Sequence, residues 1–150
     1  MYAIDLAGKN CIVFGVANQR SIAWAIAQVL HQAGARLTIT YQNERLRENV
    51  EKLVGPWGDA PLIECDVSSD ESVEAAFGRV AEELGHLDII VHSIAYAQRE
   101  DLGGRFVDTP REGFRVALDI SAYSLVSIAR YGSPLMTGGG GSIVSLTFMA

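Results

Sequence analysis

The sequence predicts an α/β protein built on a doubly wound parallel sheet in the strand order 3-2-1-4-5. Short apolar runs, typical of strands buried on both faces, alternate with longer segments of helical periodicity along the 150 residues. The first of these runs leads through a glycine turn directly into a helix, and the later runs repeat the same order. Such alternation implies parallel βαβ units with right-handed crossovers. We expect a single domain over residues 1–150.

The first βαβ unit contains the stretch that we expect to bind a ligand. An apolar strand, Cys11–Phe14, is followed by Gly15, and Ser21 precedes a helical face that ends at Gly34. We expect the Ser21 hydroxyl to cap this helix by accepting from a free N–H of the first turn. A glycine before a helix N-terminus lets a phosphate approach unpaired N–H groups and the positive end of the dipole. The turn favours a pyrophosphate, but only one glycine of G-x-G-x-x-G is present, and an ordinary strand-to-helix turn is the alternative.

The second unit indicates which cofactor the turn would bind. A strand over Ala35–Tyr41 leads into a charged helix over Glu44–Val54. In dinucleotide-binding folds, the residues at the end of this strand contact the adenosine ribose. An acidic residue there accepts from the 2′-OH of NAD, and a basic residue binds the 2′-phosphate of NADP. Gln42 and Asn43 stand there and neither is basic, which favours NAD over NADP, with Arg45 close enough to leave NADP open. Gln42 as a solvated helix-start residue is the alternative.

The third unit places a carboxylate at a strand end. Leu62–Cys65 is a short strand, and Asp66 ends it. Ser68 and Glu71 stand at the spacing of a capping box, and the helix that they begin runs to about Leu84. Asp66 is placed to contact an adenine, and a turn or capping role is the alternative.

The fourth strand, Leu87–His92, ends in the small-residue segment 93–97. Ligands of open parallel sheets lie outside the carboxyl ends of the strands, and small residues let a ligand pass near the backbone. The charged, irregular segment 98–108 that follows is a candidate substrate-side loop.

A long helix and a fifth strand complete the pattern. Thr109 is the expected cap, with Pro110 in the first helical position and Glu112 completing the box, and the helix runs to about Met136. A glycine run then leads to a strand over Ser142–Thr147. The sequence ends just after it, without a covering helix, so we expect a truncated piece of a longer chain, or a partner chain that covers the exposed face.

Composition and charge exclude several classes of protein. The net charge is −6 and no basic run stands out, so we expect no nucleic-acid partner. No apolar run could span a bilayer and the N-terminus lacks a secretory signal, so we expect no membrane association and a cytoplasmic location. The two cysteines fall in predicted strands, as buried thiols of a reducing compartment would, and the three histidines lack metal-ligand spacing, so we expect no metal. The phosphate-loop pattern of nucleotide hydrolases does not occur.

Several sequence blocks together resemble one family. The blocks occur in order as GVANQRSIAW (15–24), YQNERL (41–46), CDV (65–67), VHSIAYA (91–97), ISAYS (120–124) and SLT (145–147). They are similar to the NADH-dependent enoyl-(acyl-carrier-protein) reductases of bacterial type II fatty acid synthesis. These enzymes are a divergent branch of the Rossmann-type short-chain dehydrogenase/reductase family. The resemblance covers essentially the whole chain but only the N-terminal part of the family's usual length.

The resemblance implies NADH as cofactor and assigns site residues by position. It implies that the cofactor contacts are Gly15, Ser21 and Ile22 at the pyrophosphate and ribose, Gln42 at the adenosine, Asp66 and Val67 at the adenine, and Ser93, Ile94 and Ala95 at the nicotinamide. It implies that the substrate contacts are Tyr96, Ala97 and Phe148.

The implied reaction is hydride transfer from NADH to the double bond of an enoyl thioester carried by acyl carrier protein. The family's catalytic Tyr-x6-Lys motif is expected beyond residue 150, so no catalytic residue is expected within this chain, and Phe148 stands where the family often has a tyrosine. The resemblance also implies a homotetramer with the long helix at an interface. The alternatives are a catalytically incomplete NAD-binding module and another short-chain dehydrogenase, which Ser93-Ile94-Ala95 in place of Asn-Asn-Ala-Gly disfavours.

Overall fold

The computed structural model describes residues 4–58 and 60–147. In chain order its main elements are β1 (Asn10–Phe14), α1 (Ile22–Gln32), β2 (Arg36–Tyr41), α2 (Glu44–Val54), β3 (Leu62–Glu64), α3 (Asp70–Leu84), β4 (Ile89–His92), α4 (Arg111–Leu118), α5 (Ser124–Gly132) and β5 (Ser142–Ser145). Short 3₁₀ turns lie at Gly55–Trp57, Arg99–Leu102, Phe106–Asp108 and Ser133–Leu135. Among the described residues, no helix combines the length and the apolar character needed to cross a membrane.

The strands form one parallel sheet in the order β3-β2-β1-β4-β5, as the sequence predicts. β1 lies at the centre, where Cys11 pairs with Leu37 of β2 on one side and with Ile89 of β4 on the other. The chain therefore moves outward from β1 first in one direction and then in the other. The resulting switch point lies at the carboxyl ends of β1 and β4, where ligands bind in folds of this kind.

Helices cover both faces of the sheet because β1 is apolar on both. Cys11 and Val13 pack with the core residues of α1 and α2, whereas Ile12 and Phe14 pack with those of α3 and α5. All four side chains are at most 1% exposed. Full burial of an aliphatic or aromatic side chain contributes about 1.5–3 kcal/mol, so the central strand alone contributes a large share of the stability.

The observed helix caps differ from the predicted ones by small shifts. Asn43 caps α2 by accepting from the Leu46 N–H, at 3.2 Å. Ser69, not Ser68, caps α3 by accepting from the Ser72 N–H, also at 3.2 Å. The prediction at Ser68 is wrong because its hydroxyl and N–H are already bonded to the Asp66 carboxylate, in a local turn that competes with capping.

The predicted long helix is present, but its turns are not uniform. Between α4 and α5 the chain forms a π-helical turn over Asp119–Tyr123, so the helical stretch is continuous from Arg111 to the 3₁₀ turn at Leu135. The predicted Thr109 cap is wrong: Pro110 occupies the N-cap position, and the Thr109 hydroxyl donates to the Phe106 carbonyl at 2.7 Å.

Asp88 connects the start of β1 to the start of β4. Its carboxylate accepts from the Lys9 ammonium and from the Asn10 N–H, both at 2.9 Å. The hydrogen bond from Lys9 lowers the pKa of Asp88 below its ordinary value of 3.8, while partial burial acts in the opposite direction. The contact fixes the register of the two central strands at the end of the sheet opposite the switch point.

Replacement of Asp88 by Asn should lower the urea midpoint of the full-length protein at neutral pH, because Lys9 and the Asn10 N–H lose a charged acceptor. A carboxyl whose folded-state pKa is lowered stabilises the fold above its unfolded pKa, and this contribution is lost as the pH falls through the folded value. The difference between wild type and variant should therefore be complete above about pH 5 and should shrink progressively as the pH falls below about 4. Tryptophan fluorescence reports unfolding, since Trp57 stacks between Trp24 and His31 in the folded state.

The exposed carboxylate of Glu82 in α3 supplies the matched control. Glu82→Gln should leave the midpoint nearly unchanged. An Asp88→Asn difference of the same size at pH 3 and pH 7 would show that the Asp88 charge does not contribute.

Candidate functional site

A cavity of about 540 Å³ lies at the carboxyl ends of the strands, at the switch point of the sheet. This volume is in the range of small-molecule sites, which are concave, largely apolar and few per protein. Its walls come from the turn after β1, the ends of β2 and β3, the segment after β4, and the helical stretch that begins with α4. None of the described residues that line it is charged, so a ligand would be held by backbone groups, hydroxyls, amides and apolar surfaces.

Gly15 determines how β1 leaves the sheet beside β4. Its φ is +97°, in the left-handed region that favours glycine. A Cβ added at Gly15 would overlap the carbonyl oxygen of Ser93. Phe14 pairs with His92, so the two chains leave the sheet side by side at this point. Glycine is therefore required here both by the backbone conformation and by the approach of the neighbouring strand end.

Ser21 occupies the N-cap position of α1 but does not cap the helix with its side chain. Its hydroxyl donates to the Asn18 carbonyl at 2.6 Å and accepts from the Ala17 N–H at 3.4 Å. The expected bond to a first-turn N–H is therefore wrong, because the hydroxyl folds back over the turn and closes it. The turn is internally bonded, which leaves the first-turn N–H groups of α1 without a side-chain cap.

The end of β2 forms the opposite side of the cavity. Gln42 lines it together with Tyr41, directly before the start of α2. Arg47 lies over the Tyr41 ring, 5.9 Å from the ring centroid, and its guanidinium pairs with Glu51 at 2.7 Å. This pairing directs Arg47 along the outer surface of α2.

The Asp66 side chain is hydrogen-bonded within its own turn. One carboxylate oxygen accepts from the Ser68 N–H at 3.0 Å and from the Ser68 hydroxyl at 2.8 Å. The neighbouring Val67 lines the cavity, and Asp66 does not. The alternative reading of Asp66 as a turn residue is therefore the one that the geometry supports for its carboxylate.

A thiol also lines the cavity, beside the end of β3. Burial raises the pKa of Cys65 to about 12, and that of Cys11 in β1 likewise to about 12. Both thiols are free and buried, and the raised pKa favours the protonated form, which is the weaker nucleophile. Within residues 4–58 and 60–147, no group of three His, Cys, Asp or Glu side chains is arranged to hold a metal ion.

The segment after β4 is held against the long helical stretch. The Ser121 hydroxyl accepts from the Tyr96 N–H at 2.9 Å and donates to the Tyr96 carbonyl at 3.1 Å. Val116 and Ile120, one helical turn apart, face the cavity from the same stretch. The backbone of Tyr96, which lines the cavity, is therefore held against the helical stretch.

His92 is buried below this segment, with 1% of its surface exposed. Its Nδ1 lies 3.0 Å from the Ser145 hydroxyl oxygen, and its Nε2 lies 2.8 Å from that of Ser124. Burial lowers the pKa of His92 below its ordinary value of 6.5, so the imidazole is neutral at neutral pH.

The structure brings together most of the residues that the sequence predicted for the site. Those that line the cavity are Gly15, Gln42, Val67, Ser93, Ile94, Ala95 and Tyr96. Those described but not lining it are Ser21, Ile22, Asp66 and Ala97. Phe148, the remaining expected substrate contact, lies outside the described residues.

Further lining residues were not singled out by sequence reasoning. They are Phe14, Val16, Ala17, Thr40, Tyr41, Leu46, Cys65, Val116 and Ile120. Six of them end a predicted strand or directly follow one, so the rule that ligands lie at the carboxyl ends could have found them. Leu46 lies in the helix after β2. Val116 and Ile120 carry only the weaker signal of a shared helix face.

Known proteins are similar in sequence to this chain over almost its whole length. The family described as enoyl-(acyl carrier protein) reductase matches residues 15–150. The enoyl-(acyl-carrier-protein) reductase (NADH) of Bacillus subtilis strain 168 is 46% identical over 147 residues, which are 97% of this chain and 57% of that protein. The enoyl-(acyl-carrier-protein) reductase (NADPH) of Staphylococcus aureus strain NCTC 8325 is 45% identical over 148 residues, again 97% of this chain and 57% of that protein.

A solved structure has the same fold. The crystal structure of the Bacillus cereus enoyl-acyl carrier protein reductase with NADP+ and indole naphthyridinone matches with a TM-score of 0.92 and 47% identity, over 97% of this chain and 57% of that chain. The present chain thus spans a little over half the length of the relatives it matches. Since the family match extends from Gly15 to the last residue and the relatives share almost half of the sequence, the chain belongs to the enoyl-(acyl carrier protein) reductase family.

Proposed function

We propose that the full-length protein is an NADH-dependent enoyl-(acyl-carrier-protein) reductase of type II fatty acid synthesis, and that residues 1–150 form its cofactor-binding domain. The observation that supports this most directly is the cavity at the switch point, bordered by Gly15 on one side and by Ser93–Tyr96 on the other. A reductase of this family needs one site where an extended dinucleotide and an enoyl thioester meet. The uncharged cavity lies where such a site is expected in a parallel sheet.

The turn after β1 fits the pyrophosphate of the dinucleotide. Gly15 exposes backbone without a side chain, and the cavity wall continues through Val16 and Ala17 towards the start of α1. Because Ser21 turns its hydroxyl back to Asn18, it does not compete for the first-turn N–H groups. No carboxylate among the described lining residues would repel a doubly charged pyrophosphate. The site thus supplies neutral donors and a helix dipole to an anion.

NADH is the proposed cofactor rather than NADPH. Gln42, at the ribose position, carries a neutral amide, and Arg47 is paired with Glu51. A 2′-phosphate would need an unpaired basic group at this point. The exposed Arg45, for which the described residues show no ion pair, is the group that would serve NADPH, which is the alternative. The relatives include proteins named for either cofactor, so the choice rests on these residues of this chain.

The proposed reaction places the enoyl thioester next to Tyr96, Ala97 and Phe148. NADH supplies the hydride when bound, and the chain's own residues orient it and exclude water. Ser93, Ile94 and Ala95 offer a compact surface against which a flat nicotinamide ring can lie. The donor that stabilises charge on the thioester oxygen is the tyrosine of the family's Tyr-x6-Lys motif, which the resemblance places beyond residue 150. The same spacing occurs at Tyr2 and Lys9. Lys9 is paired with Asp88 at the end of the sheet opposite the cavity, so this pair is not the proposed donor. We place the protein in the cytoplasm, where its free thiols and its acyl carrier protein partner would be found.

The full-length protein should reduce a crotonyl thioester with NADH as hydride donor, and its kcat/KM should be higher with NADH than with NADPH. Loss of NADH absorbance reports turnover, and fluorescence titration reports binding in the same samples. The 150-residue chain is the control and should not turn the substrate over, because the family's catalytic Tyr-x6-Lys pair is expected beyond residue 150. A full-length protein that binds NADH without reducing the thioester would favour a different dehydrogenase or a binding module.

The same protein should be a homo-oligomer, a tetramer by family resemblance, formed through the long helical stretch. Phe114, Leu118 and Val126 are 53%, 49% and 51% exposed, an apolar surface that would be stabilised by burial against a second copy. Sedimentation velocity at micromolar concentration should show the oligomer, and Leu118→Glu should dissociate it. A wild-type monomer at that concentration would contradict the proposal.

Replacement of Gly15 by Ala should abolish NADH binding and destabilise the fold by roughly 2–5 kcal/mol, the sum of left-handed strain and overpacking. Gly8 is the matched control, since its φ of +79° is also left-handed and a Cβ there would meet nothing within 4 Å. Gly8→Ala should cost only about 1–2 kcal/mol and leave NADH affinity unchanged. Equal losses of stability in the two variants would show that the approach to Ser93 carries no penalty.

A further inference from the structure

His92 connects the ends of β4 and β5 and the long helical stretch at one buried point. Its ring lies between the hydroxyl oxygens of Ser145 and Ser124, at 3.0 and 2.8 Å. Ser145 is its register partner on β5, and the main chain that follows His92 is the segment lining the cavity. The position of the imidazole is therefore coupled to the position of the cavity wall.

The protons of this network can be assigned by counting donors. A serine hydroxyl has one hydrogen, and Ser124 donates it to the Ile120 carbonyl at 2.6 Å. Ser124 must then accept from His92, which places the ring proton of the neutral imidazole on Nε2. Nδ1 is left as an acceptor, so the Ser145 hydroxyl donates to it. Every polar group of the network has a partner, which favours one arrangement over alternatives.

A second contact joins the same helical stretch to the same segment. Ser121 binds both the N–H and the carbonyl of Tyr96, four residues after His92. Ser121 lies within the π-helical turn Asp119–Tyr123, and Ser124 follows that turn directly. π-Helical turns are rare and energetically unfavourable, and they occur often at functional sites. Here the turn delivers two hydroxyls, three residues apart, to the two ends of the segment 92–96.

We propose that Ser121 and Ser124 are positioning residues, through which the π-helical turn holds the segment His92–Tyr96 in the conformation that binds the nicotinamide half of the cofactor. This inference rests on the proposed function because it takes the cavity as the binding site of NADH. Neither serine lines the cavity, and Ser124 is completely buried, so both act through the main chain and the imidazole that they contact.

Ser127 supplies the control that distinguishes a positioning role from simple helix packing. It is also completely buried, lies on the same stretch, and donates to the Asp70 carboxylate at 2.6 Å. Its bond leads to Asp70 at the start of α3 and not to the segment 92–96. Ser127→Ala therefore removes a comparable buried hydrogen bond from the same helical stretch and leaves the contacts of Ser121 and Ser124 in place.

The test compares affinities for NADH and for ADP in the full-length protein and its Ser121→Ala, Ser124→Ala and Ser127→Ala variants. Ser124→Ala should weaken NADH binding about tenfold, because it leaves the buried Nε2–H without an acceptor. Ser121→Ala should weaken it about threefold, because water can replace the hydroxyl at the half-exposed Tyr96. ADP affinity should stay unchanged in both, since ADP lacks the nicotinamide half. Ser127→Ala should lower the melting temperature without changing either affinity, and Ser121→Thr, which keeps the hydroxyl, should bind NADH like wild type.

The outcomes separate this proposal from the proposed function. Wild-type NADH affinity in both alanine variants, or an equal loss in Ser127→Ala, would overturn the positioning role. A parallel loss of ADP affinity would also overturn it, because the effect would then be a general loss of folded protein. If the wild type binds NADH but does not reduce the crotonyl thioester, only the reductase assignment fails, and the ratio of the ADP and NADH affinities still decides the role of the serines.

Discussion

The close approach of Gly15 to the Ser93 carbonyl is the constraint on which the site depends. β1 and β4 are neighbours in the sheet, and their chains leave it side by side after Phe14 and His92. A left-handed glycine lets the first chain turn away without a side chain, and the second chain fills the space that a Cβ would need. The two backbones thereby border one cavity, whose remaining walls follow from the order of strands and helices around it.

Buried polar groups further restrict the conformation of the site. An apolar sheet core tolerates small rearrangements, whereas a hydrogen-bonded imidazole with an assigned proton tolerates few. His92 and its serine partners lie where three elements meet, below the residues that form the cavity wall. The opposite end of the same two strands is fixed by the Asp88 carboxylate. The central strands are thus held at both ends by polar contacts and along their length by apolar burial.

Sequence reasoning predicted the sheet order and most of the site because both depend on local patterns. Buried strands are continuous apolar runs, and ligands lie at their carboxyl ends. The predicted caps at Ser21, Ser68 and Thr109 were wrong because each hydroxyl has a closer partner in its own turn. The π-helical turn has no compositional signature. The sequence therefore could not predict that Ile120 faces the cavity or that Ser121 binds Tyr96. Both orientations depend on contacts with residues that are distant along the chain.

The most direct test of this account is a crystal structure of the full-length protein with NADH bound. The account predicts the pyrophosphate against the backbone of Gly15–Ala17 and the nicotinamide against Ser93–Ala95, with Gly15 in the left-handed conformation. A dinucleotide bound elsewhere on the sheet, or one whose nicotinamide does not contact Ser93–Ala95, would contradict it.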